Sequence, residues 1–131
     1  MAILNEYRIG KITADGSGAF DIYTSGAIIG EIVKIFYYTN SGGSFGVEVT
    51  GSLSVTSSGL FSQTIWNKNG TMDVNASIRP VEYVRDNTNA IVGSPQGIVL
   101  PFVCNSPLRF VGAGLGPGSI VSGISIWYKQ F

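Results

Sequence analysis

Two segments of the chain alternate apolar and polar residues with a period of two, and this pattern constrains the fold more than any other feature. From Phe45 to Val55 one set of alternate positions is large and apolar or glycine, and the other is glycine or polar. A period of two is typical of a β-strand with one buried and one wet face. The segment from Ile120 to Lys129 is apolar at most positions of both sets. It predicts a strand that is central, or covered on both faces.

The composition extends the β prediction to the whole chain. Isoleucine and valine number 27, against 13 for leucine and alanine combined, and β-branched side chains favour a pleated surface over a helix. No segment of ten residues combines helical periodicity with helix-forming composition. Asn69-Gly70 is typical of a type I′ hairpin turn, and turn residues bound the further strands predicted at 31–39, 60–66, 72–78, 98–104 and 108–112.

These patterns predict an all-β fold, an antiparallel β-sandwich or jelly-roll-like arrangement of about eight strands. The chain has 131 residues, the size of one domain, and no linker divides it. Residues 1–131 are therefore expected to form a single β-sandwich domain, in which residues 1–12 are an N-terminal arm or an edge strand.

The charges and the chemically reactive residues exclude several classes of function. Eight basic residues balance eight acidic ones, histidine is absent and Cys104 is the single cysteine. A basic footprint for nucleic acid, histidine chemistry and an internal disulfide are therefore excluded. The glycine-rich run 112–119 lacks the lysine and the following helix of a phosphate-binding loop. The segment from Asp15 to Asp21 lacks the closing glutamate of a calcium loop. The sequence predicts a protein that is not an enzyme and has no cofactor or metal.

No segment predicts export or insertion into a membrane. The first ten residues contain Glu6 and Arg8 and have neither a basic start nor an apolar stretch, so they do not form a signal peptide. The longest useful uncharged run, Leu115 to Tyr128, is too short to span a bilayer and is broken by glycine, proline and serine. We expect a protein without a membrane partner.

Aromatic residues are numerous for a chain with so few charges. There are fifteen, and the mean hydropathy is +0.28. Adjacent residues of a strand point to opposite faces, so the run Phe36-Tyr37-Tyr38 cannot lie in one core. Either some of these rings are exposed or both faces of the sheet are covered. Tyr37, Tyr38 and Trp66 are the candidates for exposed aromatics, and the mild surface favours contacts between subunits.

Four segments together resemble small β-rich virion proteins of tailed bacteriophages. They are Gly30 to Gly42 (GEIVKIFYYTNSG), the polar loop Asp86 to Gly97, an apolar strand that begins near Pro101-Phe102, and a closing strand from Ser122 to Lys129. The resemblance is one of pattern and spacing from about residue 28 onward, and residues 1–27 have no match in it. It implies a decoration or cement protein that lies on the capsid exterior, across junctions between major capsid subunits.

The resemblance also implies partners and a location. The partners are the major capsid protein and further copies of the chain, with a trimer favoured because three-fold junctions are common in capsids. The location is the capsid surface of the virion, after synthesis in the host cytoplasm. The pattern of Ile3, Leu4, Tyr7 and Ile9 ahead of a glycine-rich turn suggests that the N-terminal segment contacts the partner.

Two other functions stay open at this point. A carbohydrate-binding module on a fibre or knob would use Tyr37, Tyr38, Trp66 or Trp127 as platforms for sugar rings. A head-to-tail connector or tail component would differ from a cement protein in the number of copies per particle rather than in its chemistry.

Overall fold

The fold is described here from a computed structural model that covers residues 3–39, 50–59, 62–83, 85–93 and 99–130. Within these ranges the chain forms twelve strands and no helix. The strands are β1 (Ile3–Ile9), β2 (Ile12–Thr13), β3 (Phe20–Tyr23), β4 (Ile28–Tyr38), β5 (Thr50–Ser57), β6 (Thr64–Thr71), β7 (Ala76–Ile78), β8 (Val81–Tyr83), β9 (Val99–Ser106), β10 (Leu108–Ala113), β11 (Ile120–Val121) and β12 (Gly123–Gln130).

The strands form two main sheets, and every pair of strands is antiparallel in the described part of the chain. The large sheet has the order β1-β12-β4-β9-β8, and β7 pairs with the second half of β4. The small sheet has the order β3-β10-β5-β6, and β2 and β11 form a separate short ribbon. The buried side chains of both sheets belong to one hydrophobic cluster. The prediction of an all-β antiparallel sandwich is therefore confirmed.

The order of the long strands is that of a jelly roll. Without the short strands β2, β7, β8 and β11, eight strands remain in the described ranges. The first, eighth, third and sixth form the large sheet, and the second, seventh, fourth and fifth form the small one. This alternation of consecutive strands between two sheets is the arrangement of two Greek keys in jelly rolls. The prediction of about eight strands corresponds to these eight, and four short strands add to them.

The core lies between the two sheets and follows from the alternation along each strand. In β12, Ile124 and Ile126 are fully buried, and in β4 so are Ile35 and Tyr37. The small sheet contributes fully buried residues such as Phe110 from β10. The closing segment was predicted to be central, and β12 does lie between β1 and β4.

Two glycines are required where the backbone or a ring comes very close. Gly30 in β4 has a φ of +144°, and a Cβ there would overlap the carbonyl oxygen of Lys129 in β12. Gly112 in β10 leaves room for the ring of Phe20, which a Cβ would overlap. Gly112 ends the strand predicted at 108–112, and the structure places it within β10, where the packing of the core requires a glycine.

Some strand boundaries predicted from the sequence were wrong. Asn69-Gly70 does not form a hairpin turn but lies within β6, where Gly70 pairs with Gly51 of β5. In the predicted strand 72–78 only Ala76–Ile78 is extended, and Met72 is instead a fully buried residue beside it. Residues 45–49 of the first alternating segment lie outside the described residues. The remainder of that segment is in β5, where Leu53 and Val55 are fully buried, as the alternation predicts.

Candidate functional site

The outer face of the large sheet, the side turned away from the small sheet, is the most unusual surface of the molecule. Alternation places every second residue of its strands there. Leu4 of β1 lies opposite Lys129 of β12, and Glu31 of β4 lies opposite Val103 of β9. Soluble monomers seldom keep large apolar side chains on an exposed sheet face, and a continuous apolar patch marks an interaction site.

Exposed apolar side chains are concentrated on this outer face. Among the described residues twelve large hydrophobic side chains are exposed, and seven of them lie on it. The seven are Leu4, Ile29, Tyr38, Val81, Tyr83, Val99 and Val103. They come from the four strands β1, β4, β8 and β9, so the patch reaches both the β1 and the β8 edge of the sheet.

An aromatic groove occupies one half of the outer face. The rings of Phe36 and Tyr38 stack with their centroids 5.8 Å apart and their planes at 10°. Lys34, on the same side of β4, places its Nζ 5.0 Å from the centroid of Phe36. Val33 and Lys34 face the same way because the pairing of β4 with β12 is bulged after Trp127. The groove encloses about 500 Å³, and Trp127 and Leu4 also line it.

Charged side chains frame the groove and are paired with one another. Ser125 of β12 is fully buried on the outer face, and its hydroxyl donates a hydrogen bond to the carboxylate of Glu6. Arg8 lies 3.3 Å from the same carboxylate. The hydrogen bond from Ser125 is the main reason that the pKa of Glu6 lies below its usual value, and Arg8 contributes further. The paired charges leave the groove mainly apolar.

An ion pair lies on the other half of the outer face. Arg79 approaches Glu31 with a nitrogen to oxygen distance of 3.8 Å. Exposed pairs of this kind stabilise a protein by less than about 1 kcal/mol. The exposed valines and the tyrosine of β8 and β9 lie on this half of the face. The outer face therefore combines exposed apolar area with charged side chains that are mostly paired.

The size of the outer face suits a specific protein contact. Five strands spaced by about 4.8 Å span about 20 Å, and a strand of eight residues is about 27 Å long. The face therefore covers about 500 Å², of the same order as the ~800 Å² that each partner contributes to a standard interface.

The structure distributes the three predicted aromatics differently. Tyr38 is 38% exposed and lies on the outer face. Tyr37 is fully buried, so the prediction that it is exposed was wrong. It points into the core opposite Ile124, and its hydroxyl donates a hydrogen bond to the carbonyl of Met72. Trp66 is only partly buried, but it packs against the core from the edge strand β6.

Phe36 is a member of the aromatic groove that the sequence reasoning did not select. The sequence does indicate its position. Lys34, Phe36 and Tyr38 are alternate residues of one strand and so lie on the same face, and a lysine seldom faces a core. The parity of Lys34 would have placed both rings on the outer face and Tyr37 on the inner one.

The N-terminal residues form an edge strand of the large sheet. β1 pairs along its length with β12. Ile3 and Leu4 are 61% and 54% exposed. Tyr7 and Ile9 are half-buried and pack against the core, and the hydroxyl of Tyr7 lies 2.9 Å from the Ser25 Oγ. Whether these four residues contact a partner remains a prediction, but only Ile3 and Leu4 are free to do so through their side chains.

Two other chemically reactive groups, the thiol of Cys104 and the carboxylate of Asp15, have structural roles. Cys104 is buried, as its apolar sequence context predicts. The carboxylate of Asp15 accepts hydrogen bonds from the backbone N–H groups of Ser17 and Ala19 and so closes the turn before β3. No group of three or more metal-binding side chains occurs among the residues that the structure describes. In the same ranges, no helix has the length and apolar character needed to cross a membrane.

Comparisons with known proteins give no further assignment. No known protein family matches the chain, and none of the curated proteins or solved structures is significantly similar to it. The function must therefore be inferred from the geometry of the molecule.

Proposed function

We propose that this chain is a non-enzymatic structural protein of a tailed-phage virion, a decoration or cement protein that binds the lattice of the major capsid protein and stabilises the head. The observation that carries the proposal is the outer face of the large sheet. It exposes seven large apolar side chains, and most of its charged side chains are paired, which suits a surface that becomes buried against a protein partner.

The physical requirements of a cement protein agree with this face. Such a protein has to add contact area at many identical sites, and it needs no turnover. Binding at neighbouring sites that are linked through the same particle adds up by effective concentration, so a modest contact per copy is sufficient. A contact of about 500 Å² per copy lies at the low end for an isolated specific complex. It becomes adequate when it is repeated over a lattice.

The proposal is tested by changing one valine on the outer face and one elsewhere. Val103 is 55% exposed on the outer face, and Val74 is 50% exposed outside the strands. Lysine at either position adds the same charge to a similarly exposed site. We expect Val103→Lys to weaken binding to phage heads that lack this protein by about tenfold or more, and Val74→Lys to leave binding unchanged.

Binding is measured by co-sedimentation of the purified protein with the heads. Circular dichroism and the denaturation midpoint of each variant establish that both are folded. Equal binding of the two variants would refute the assignment of the interface to the outer face. Failure of the unmodified protein to bind the heads would refute the proposed function itself.

The aromatic groove favours a second candidate function, a carbohydrate-binding module. Trp127, Phe36 and Tyr38 line the groove, and Glu6, Arg8 and Lys34 supply polar groups to the same lining. Ligand sites typically combine apolar walls with a few polar groups in a volume of about 300 to 1,000 Å³. Sugar rings present an apolar side that can stack on aromatic side chains.

The two tryptophans make this candidate testable. Tryptophan fluorescence is titrated with a panel of glycans on the unmodified protein and on the Trp127→Phe and Trp66→Phe variants. A glycan site in the groove predicts a saturable response that is lost in Trp127→Phe and kept in Trp66→Phe. Absence of any saturable response in the unmodified protein would remove the candidate.

A connector or tail component remains the third candidate, and it differs in stoichiometry. A cement protein is expected in hundreds of copies per particle and a connector in about a dozen, as follows from the symmetry of the sites that each occupies. Quantitative mass spectrometry of purified particles distinguishes the two numbers.

A further inference from the structure

The edges of the two main sheets differ in how well they are protected from pairing with another strand. In the described part of the chain, β3, β7 and β8 are edge strands of only four, three and three residues. The edge strand β6 is longer but has a shifted register beside Val55 and includes Lys68 and Gly70. Short length, bulges and lysine are the usual means by which edge strands avoid association.

The remaining edge strand, β1, has none of these features. It is seven residues long, its sequence ILNEYRI contains no proline, glycine or lysine, and its pairing with β12 has no shift in register. Its other edge has no partner strand among the described residues. The only charged residues in β1 are Glu6 and Arg8, two positions apart on the outer face.

The spacing of these two charges selects one way of pairing two copies of β1. When two copies of β1 pair antiparallel around a two-fold axis, the residue numbers of every opposite pair add up to the same value. A sum of 14 places Tyr7 on the axis and Glu6 opposite Arg8 of the other copy, twice. A shift by one residue on each strand places either Glu6 opposite Glu6 or Arg8 opposite Arg8. Like charges directly opposite each other destabilise a sheet, and opposite charges stabilise it.

We propose that β1 is a homodimerisation edge, at which two copies of the chain pair antiparallel around a two-fold axis through Tyr7. The four charged groups of Glu6 and Arg8 then alternate in sign around the axis. Asn5 lies opposite Ile9 of the second copy, and the large sheets of the two copies join into one.

The pairing has a consequence for the outer face. An axis perpendicular to the joined sheet keeps both outer faces on the same side, because opposite residues of an antiparallel pair point the same way. Two faces of about 500 Å² then form one surface of about 1,000 Å². This value exceeds one partner's share of a standard interface. The dimer is independent of the proposed function, since the edge pairs in the same manner whatever the outer face binds.

The charge pattern allows a test by complementation. Arg8→Glu gives a chain with carboxylates at both positions, and Glu6→Arg gives one with guanidinium groups at both. In a homodimer of either variant the groups that face each other carry like charges. In a heterodimer of the two variants every opposite pair is attractive again.

The oligomeric state is measured by analytical ultracentrifugation. The unmodified protein is expected to sediment as a dimer, and each variant to dissociate with a Kd raised about tenfold or more. An equimolar mixture of the two variants is expected to recover the dimer. Circular dichroism of each variant alone verifies its fold. A monomeric or trimeric unmodified protein, or a mixture no more associated than its components, would overturn the proposal.

Cysteine cross-linking tests the register separately. In the predicted pairing the two copies of residue 7 have Cα atoms about 5 Å apart, which a disulfide can span. The two copies of residue 5 are offset by about 14 Å, which it cannot. We expect oxidation to link Tyr7→Cys chains into dimers while Asn5→Cys chains stay unlinked. The unmodified protein, whose Cys104 is buried, is the control. Equal cross-linking at both positions would refute the register.

Discussion

The burial of Tyr37 leads to a prediction that separates two adjacent tyrosines with opposite surroundings. Tyr37 is fully buried, and its hydroxyl donates a hydrogen bond to the carbonyl of Met72. Tyr38 is 38% exposed on the outer face. Replacement by phenylalanine removes one oxygen atom at either position and keeps the ring. Only at Tyr37 does the change deprive a buried acceptor of its donor.

The magnitude follows from the cost of a buried polar group without its partner. Loss of the donor to the Met72 carbonyl costs about 1 to 3 kcal/mol of the free energy of unfolding. For a chain of 131 residues the entropy of unfolding is about 0.28 kcal/mol/K, so Tyr37→Phe lowers Tm by about 4 to 11 °C. Tyr38→Phe changes the free energy of unfolding by less than about 0.5 kcal/mol.

Calorimetry gives Tm, and urea denaturation gives the free energy of unfolding for both variants. A second reading comes from the alkaline titration of tyrosine absorbance. Burial and, to a lesser extent, the carboxylate of Asp73 raise the pKa of Tyr37 well above its ordinary value of 10.0. The folded protein therefore retains this proton at a pH where the unfolded chain loses it, and stability falls as the pH rises above 10.0. In Tyr37→Phe this contribution to the alkaline loss is absent.

Two results would contradict this reasoning. If Tyr37→Phe were as stable as Tyr38→Phe, the buried hydrogen bond would not contribute as described. If all tyrosines of the folded protein titrated together near their ordinary pKa, the burial of Tyr37 would be wrong.

Two further predictions concern the large sheet. Gly30→Ala destabilises the protein by at least about 3 kcal/mol, because a Cβ would overlap the carbonyl of Lys129 and the positive φ is strained for alanine. Gly10→Ala, which meets nothing within 4 Å, changes stability by about 0.5 kcal/mol or less, and urea denaturation compares the two. The hydrogen bond from Ser125 depresses the pKa of Glu6 below 4.5, so its contribution to stability is present above that pH and is lost as the pH falls through the pKa of the folded state. Glu6→Gln should flatten this part of the acid profile in denaturation midpoints taken between about pH 7 and about pH 3, and an unchanged profile would exclude the contribution of Glu6.

The sequence predicted correctly those structural features that depend only on a residue and its neighbours along the chain. Period-two alternation and the excess of isoleucine and valine predict strands, and the structure has strands and no helix in its described ranges. The two-sided apolar pattern of residues 120–129 predicted a central position, and β12 lies between β1 and β4. The apolar context of Cys104 predicted a buried thiol, which is where the structure places it. Each of these inferences depends only on the residue and its near neighbours.

The sequence failed where the outcome depends on a distant partner. Asn69-Gly70 has the composition of a hairpin turn, but Gly70 is held in β6 opposite Gly51. Gly112 was predicted to lie in a strand, but the reason that the position needs a glycine is the ring of Phe20 in another strand. Local propensity cannot contain this information, because the second residue is far away in the sequence.

In the candidate site, too, some features follow from the local sequence and others depend on distant residues. The residue pattern by itself determined that Phe36, Tyr37 and Tyr38 cannot share one face, because side chains alternate along a strand. Only the tertiary structure decided that Tyr37 enters the core and that Phe36 and Tyr38 remain outside, since this depends on which side of β4 the small sheet covers. The low charge of the chain likewise indicated a surface suited to contacts. The pairing order of the strands decided where that surface lies, because it gathers exposed apolar residues from four strands on one face.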